Sequence, residues 1–327
     1  MPDHVQAFQD TTQTVAVIGA GLIGLSWAAL FTAAGKQVNL YDSRPEAGQH
    51  MADFWVSVKP TLIRLGLASA ATEPKVEVFA ALADAVGDAD FIQECIPERL
   101  EAKQTLYAEM EPHLKAHAIV ATSSSGLKLS DLQAGWQVPG RVIIAHPFNP
   151  PHLIPLVELY GNERTDADVL PRASAFYERC GKVVVTLQRE VLAHVANRLQ
   201  AALWREAIHL VLEGVASLKD IDTAVHAGPG LRWAVMGPHL LLNLGGGEGG
   251  LRAYCEQFRD SYHQWWDDLG TPQLTDANID TLVNALQAEI DGREYTELRA
   301  ERDEKLVAIL GAMKEVDARQ RQARRPA

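Results

Sequence analysis

Val15-Ala16-Val17-Ile18-Gly19-Ala20-Gly21-Leu22-Ile23-Gly24 is the stretch on which the reading of this chain turns. The β-branched apolar run at 15–18 predicts a strand. Residues 25–34 predict a helix closed by Gly35, a residue suited to the left-handed turn after a helix end. Residues 37–41 predict a second strand that stops at Asp42. Strand, glycine turn, helix, strand and acid form one βαβ unit. In the spacing Gly19-x-Gly21-x-x-Gly24 the first glycine makes the tight turn, the second lets the backbone approach a pyrophosphate, and the third lets helix and strand pack closely. The helix N-terminus offers N–H donors and a positive partial charge to phosphates. Asp42 lies 23 residues after Gly19. A carboxylate there accepts ribose hydroxyls and repels a 2′-phosphate, so the expected cofactor is NAD rather than NADP, although Arg44 nearby blurs the choice. The expected cofactor contacts in this turn are Gly19, Gly21, Leu22, Ile23, Gly24 and Asp42.

Outward from this unit the alternation continues. Residues 44–65 and 100–114 read as helices. Residues 77–79, 89–93, 118–122, 141–145, 157–160 and 182–187 read as strands. Such alternation predicts an α/β fold, a Rossmann-type doubly wound and mostly parallel sheet. From residue 191 strand signals fade and helical patterns dominate, broken by Gly228-Pro229-Gly230 and by the glycine-rich run 245–250, a loop or helix junction. We therefore expect an NAD-binding domain at 1–189 and an all-α domain for substrate and dimerisation at 190–327.

At 327 residues the chain has room for two domains, and 47% hydrophobic with 22% charged residues is globular composition. Acids outnumber bases 42 to 30, a net charge of −12. Such a surface repels phosphate backbones and anionic lipid, which argues against nucleic-acid or membrane partners. Cys95, Cys180 and Cys255 form neither a zinc pattern nor a disulfide framework and are expected to be reduced and buried, as in a cytoplasmic protein. No metal is expected. No run reaches the ~18 apolar residues that span a bilayer. Residues 1–14 lack the basic start of a secretory signal and read as a short frayed arm. The basic tail 319–327 reads as a frayed, solvated helix end.

Three strand ends carry candidate chemistry. His146 follows an apolar strand, in a turn stiffened by Pro147 and Pro150, at the sheet edge where open α/β sheets bind ligands. Glu158, twelve residues on, stands in an apolar stretch where a carboxylate is costly unless paired, and His146 is a suitable partner. The alternative is that Glu158 faces solvent and His146 is a satisfied loop histidine. Ser123, Ser124 and Ser125 end another strand, either as ligand-binding hydroxyls or as a helix cap. Asn197 reaches back toward a cleft or decorates its helix.

Together these residues resemble the 3-hydroxyacyl-CoA dehydrogenase family over essentially the whole length. The carriers are His146-Pro147-Phe148-Asn149-Pro150, Glu158, the strand-end Ser125 and Asn197-Arg198. The resemblance implies a Rossmann domain followed by a helical dimerisation domain, hence a homodimer. It implies His146 as general base paired with Glu158, assisted by Ser125 and Asn197. It also implies Pro97, Glu98, Lys103 and Ser125 near NAD. The chain departs from acyl-CoA members in lacking a lysine-rich stretch after Asp42. Only Arg44, Lys59, Arg64 and Lys75 are basic between 44 and 77, a poor host for the anionic CoA tail. Gly228-Pro229-Gly230-Leu231-Arg232-Trp233 and the 245–250 run resemble instead a branch acting on a 3-hydroxy acid with a quaternary ammonium. That group has no N–H and is held by aromatic faces. Phe148, with its neighbour Asn149, then Trp233 and Phe258 are the candidates, and Arg232 is the candidate for the substrate carboxylate. Trp265-Trp266 reads as packing or dimer interface. A sugar acid, a hydroxyacyl-CoA, or an NAD-binding structural protein without turnover are the rival readings.

Overall fold

The computed structural model describes residues 10–323. Among the described residues, the first of two compact units comprises 10–196 together with Asp303–Glu315. Its eight strands are β1 (Thr14–Ile18), β2 (Gln37–Tyr41), β3 (Val76–Phe79), β4 (Phe91–Glu94), β5 (Ile119–Thr122), β6 (Val142–Pro147), β7 (Leu156–Tyr160) and β8 (Val183–Thr186). They form one sheet in the order β3-β2-β1-β4-β5-β6-β7-β8. The order reverses between β1 and β4, which opens a crevice at the carboxyl ends of these strands. All neighbouring pairs are parallel except β6 with β7.

Residues Val15–Ile18 are fully buried. Helices cover both faces of such a strand, so its residues are continuously apolar rather than alternating. On one face lie α1 (Leu22–Ala33), α2 (Ala47–Arg64) and α6 (Val169–Arg179). Trp27 of α1 stacks on Phe31 at 5.2 Å between ring centroids, and Phe176 of α6 stacks on Phe91 at 4.2 Å. Burying each such side chain contributes about 1.5–3 kcal/mol before the entropy of ordering is set against it. The other face carries α3 (Leu82–Gly87), α4 (Leu100–Met110) and α5 (Leu129–Leu132), which bury Tyr107, Met110, Leu129 and Leu132.

The second unit comprises residues 197–302 and 316–323. It is helical: α7 (Ala196–Leu212), α8 (Leu218–Ala227), α9 (Pro229–Trp233), α10 (Pro238–Gly245), α11 (Gly250–Asp268), α12 (Asp276–Ile290) and the ends of α13 (Tyr295–Ala323). The glycine run is a helix junction between α10 and α11. A Cβ on Gly246 would lie 1.9 Å from the Gly250 carbonyl oxygen, and Asn243 Oδ1 accepts the Leu251 N–H at 2.9 Å.

The sheet is mostly parallel, as expected, and several details refine the reading. β7 runs antiparallel to β6 because only a short loop, 148–155, joins them and no crossover helix intervenes. The sequence reading contained no α3, α5 or α6; α5 has four residues and α6 carries Pro171. The division falls at Ala196/Asn197 rather than at 189, and residues 303–315 return to the first unit, where Val307 is buried and Lys314 Nζ donates to the Leu65 carbonyl at 3.1 Å. Of the thiols, Cys180 is buried, Cys95 half-buried and Cys255 exposed on α11. The expected arm lies mostly outside the described residues. Its described end is anchored rather than frayed: Lys36 Nζ binds Asp10 and the Thr12 carbonyl, both at 2.6 Å. Of the tail, residues 319–323 continue α13, exposed, and 324–327 lie outside the described residues. No described helix is long and apolar enough to cross a membrane.

Candidate active site

The glycine turn needs its glycines for separate reasons. Gly19 has φ +103°, and a Cβ there would press on the Cys95 carbonyl at 2.9 Å. A Cβ on Gly24 would sit 1.8 Å from the Gly19 carbonyl oxygen, so only glycine lets α1 start this close to β1. In front of Gly21 nothing lies within 4 Å. Gly21 lines a cavity of about 800 Å³ together with Gly19, Leu22, Ile23, Asp42, Arg44 and, across the crevice, Ile96 and Pro97. Asp42 Oδ2 accepts the Ala20 N–H at 2.6 Å, and Arg44 grips both carboxylate oxygens at 2.9 and 3.0 Å. Burial would raise the Asp42 carboxyl, but Arg44 and the Ala20 and Arg44 N–H groups lower it to about 2. Shape, helix N-terminus and acid fit a dinucleotide.

Beside the crevice, the end of β4 is tied down from inside. Glu94 is wholly buried and accepts from Lys103 Nζ at 2.7 and 2.8 Å, from the Tyr107 hydroxyl at 2.8 Å and from the Thr122 hydroxyl at 2.6 Å. Lys103, expected near the cofactor, is itself buried, and its third donor goes to the Ile96 carbonyl at 3.2 Å. It shapes the loop that lines the cavity rather than lining it. Glu98 clamps the serine loop: its Oε1 accepts from the Ser124 hydroxyl at 2.6 Å and from the N–H groups of Ser125, Gly126 and Leu127 at 2.7–3.1 Å. Burial opposes ionisation of Glu98, but these donors and Lys103 hold its carboxyl below the usual range. Ser125 is left exposed beyond the strand.

His146 and Glu158 face each other directly in the antiparallel β6–β7 register. Opposed residues on one face of an antiparallel pair bring their Cβ atoms within about 4.5–5.5 Å, which explains why a separation of twelve in sequence makes a contact. His146 Nδ1 lies 2.9 Å from Glu158 Oε2, and both residues are buried. Because a carboxylate accepts, Nδ1 carries the proton and Nε2 is the nitrogen left for chemistry. Burial of Glu158 would raise its carboxyl, but His146 and the N–H groups of Val195 and Ala196, each 2.9 Å from Oε1, hold it below the usual range.

Phe148 is half-buried and Asn149 exposed, just past His146. Asn197 is the half-buried first residue of the second unit, one position past the Ala196 N–H that Glu158 takes. The remaining candidates lie in the second unit. Arg232 and Trp233 are exposed on α9, and half-buried Phe258 packs on Tyr254 at 4.7 Å. Trp265 and Trp266 are exposed and both contact the Tyr262 ring. Two buried groups escaped the sequence reading. His194 contacts both the His146 ring and the serine loop. Lys182 donates to the Pro151 and Ile154 carbonyls at 2.9 and 2.6 Å and so holds the loop after His146. A lone histidine in a loop and a lysine at a strand start carry no motif.

Residues 14–191 match the family described as 3-hydroxyacyl-CoA dehydrogenase, NAD binding domain, and residues 194–276 match its C-terminal domain. The L-carnitine dehydrogenase of Nocardiopsis dassonvillei is 41% identical over 317 residues, covering 97% of this chain and 96% of the relative. That of Streptomyces coelicolor is 43% identical over 303 residues, covering 93% and 95%. Among solved structures, 5-formyl-3-hydroxy-2-methylpyridine 4-carboxylic acid 5-dehydrogenase, an NAD-dependent dismutase, superposes with a TM-score of 0.80 at 28% identity over 92% of this chain and 98% of that one. With a fitting dinucleotide cradle, a paired histidine at the sheet edge and matches across both halves, the chain belongs to the 3-hydroxyacyl-CoA dehydrogenase family as an NAD-dependent oxidoreductase.

Proposed function

We propose that the protein oxidises the 3-hydroxyl of L-carnitine to 3-dehydrocarnitine. The observation that carries the reaction is the buried His146–Glu158 pair, opposed in register with Nδ1 committed to the carboxylate. His146 Nε2 takes the hydroxyl proton. Glu158, held by two backbone N–H groups, fixes the tautomer and balances the charge on the imidazolium that forms. Ser125 and Asn197 donate to the hydroxyl oxygen as it becomes a carbonyl. The 19–24 turn and Asp42 would hold NAD, which would supply the acceptor for the hydride leaving C3.

The substrate reading rests on near full-length similarity to two L-carnitine dehydrogenases. The sequence supports it in two ways. The net charge of −12 suits a cationic group better than a CoA tail, and aromatic residues stand at 148, 233 and 258. Phe148, Trp233 and Phe258 are then the faces for the trimethylammonium group, Asn149 borders it, and Arg232 takes the carboxylate. We further propose a cytoplasmic homodimer formed through the helical half. Its support is an apolar groove of about 450 Å³ in the second unit, lined by Trp204, Ile208, Leu274, Ile279, Val283 and Leu286 among others. A groove this apolar is costly to leave in water.

The test follows NADH absorbance at mildly alkaline pH with L-carnitine, D-carnitine, L-gulonate and 3-hydroxybutyryl-CoA in parallel. Reduction with L-carnitine alone is expected. Signal only with L-gulonate or with the thioester keeps the His146 chemistry and discards the substrate. Silence with all four, NAD still binding, makes the protein a nucleotide binder without turnover on these alcohols.

A further inference from the structure

The first unit places a second histidine against the catalytic pair. His194 is 4% exposed, and its ring centroid lies 4.9 Å from that of His146. Its Nε2 lies 3.1 Å from the Ser124 carbonyl oxygen. A carbonyl only accepts, so Nε2 carries the proton.

The backbone at this point is unusual. Ala193 and His194 both adopt left-handed conformations, φ +62° and +52°, which residues with a Cβ enter at a cost. The turn they make directs the next two N–H groups, of Val195 and Ala196, to one oxygen of Glu158. His194 therefore sits where three parts meet. Its side chain holds the serine loop at the end of β5, its ring packs beside the base, and its backbone turn delivers the donors that fix the carboxylate behind the base. Burial, with the neighbouring His146, lowers its basicity; the Ser124 carbonyl and the Glu158 and Glu98 carboxylates oppose this, and the net direction is down.

We propose that His194 is a positioning residue for the dehydrogenase reaction, its Nε2–H locking the serine loop to the His146–Glu158 pair so that the hydroxyl-binding side chain and the base keep one geometry. The inference rests on the assignment of His146 as base. A base and a hydrogen-bond donor that drift by an ångström lose turnover far more than affinity. The signature is therefore a fall in kcat without loss of NAD binding.

Three variants separate this from a structural role. His194→Phe keeps a ring of similar size without a donor. His194→Gln supplies an amide N–H in place of Nε2–H, and His194→Asn does so in the side chain that best tolerates a left-handed backbone. Each is compared with wild type for Tm, NAD dissociation constant, kcat and KM. His194→Phe is expected to lose roughly 10- to 100-fold in kcat with Tm and NAD affinity near wild type, and one of the amide variants to recover most of it. Wild-type kcat in His194→Phe overturns the proposal. So does a parallel fall of Tm, NAD affinity and kcat in all three. A second measurement needs no variant and no turnover: nitrogen NMR of histidine-labelled wild type is expected to find His194 as the neutral Nε2–H tautomer from pH 7.5 to 9. A charged ring in that range overturns the proposal. Because NAD affinity and tautomer are read without substrate, an inactive wild type with L-carnitine counts against the substrate, while a wrong tautomer counts against His194.

Discussion

His146 is built to use one nitrogen. Its Nδ1 is committed to Glu158, so His146→Asn leaves the NAD cradle intact and removes the proposed base. We expect kcat to fall by about 10²–10⁴-fold while NAD affinity, read by tryptophan fluorescence, stays at the wild-type value. Lys182 makes a prediction of another kind. Its ammonium is buried with two carbonyls and the Trp27 ring, 5.0 Å away, and burial lowers its pKa to about 7. In the unfolded chain the same lysine holds its proton to about pH 10.4. Between these values the unfolded state binds the extra proton, so this group adds to stability as pH rises from 7 towards 10 and takes it away as pH falls. Thermal melts of Lys182→Met are expected to show a flatter dependence of Tm on pH across that window. They should also start from a lower Tm, because the Pro151 and Ile154 carbonyls lose their donor. An unchanged slope would remove Lys182 from the account.

At the scale of elements, the contact between β1 and α1 leaves no room for a side chain at position 24. Gly24→Ala forces the helix off the strand, since its Cβ would lie 1.8 Å from a backbone oxygen. We expect NAD binding to weaken by at least about tenfold, with a melting temperature several degrees lower. Calorimetric titration against wild type checks it. The glycine turn and its flanking strands were legible because each residue there has a local reason, namely a β-branched run, glycines at fixed offsets and an acid at a strand end. The His146–Glu158 contact was legible as a suspicion from an acid in an apolar stretch. Its cause, an antiparallel β6–β7 register, was not, since nothing in Leu156–Tyr160 states its direction. Glu98 was expected at the cofactor through the resemblance, but its grip on four donors of the serine loop is a tertiary fact with no local trace. The same holds for His194, whose partners are 70 and 48 positions away in sequence.

For the whole molecule, net charge and apolar surface set the behaviour. At −12 the protein repels an anionic cofactor at long range. The NAD association rate should therefore rise as salt screens that repulsion between about 0.01 and 0.15 M ionic strength. Stopped-flow fluorescence measures this; a falling rate would mean that the local positive end of α1 governs the encounter. The apolar groove makes a separate prediction. Val283→Glu places a charge among its lining residues and is expected to shift the proposed dimer to monomer in sedimentation velocity. A monomeric wild type would discard the homodimer.

The return of Asp303–Glu315 to the first unit has a consequence for how the protein is made. A ribosome delivers the cofactor-binding half almost at once, yet the last piece of that half emerges more than a hundred residues later. Until then the surface around Leu65, which Lys314 later meets, waits uncovered. The nascent chain thus cannot finish its first unit before nearly all of it has been translated. A premature stop anywhere before Asp303 damages the half that appears, on paper, already complete.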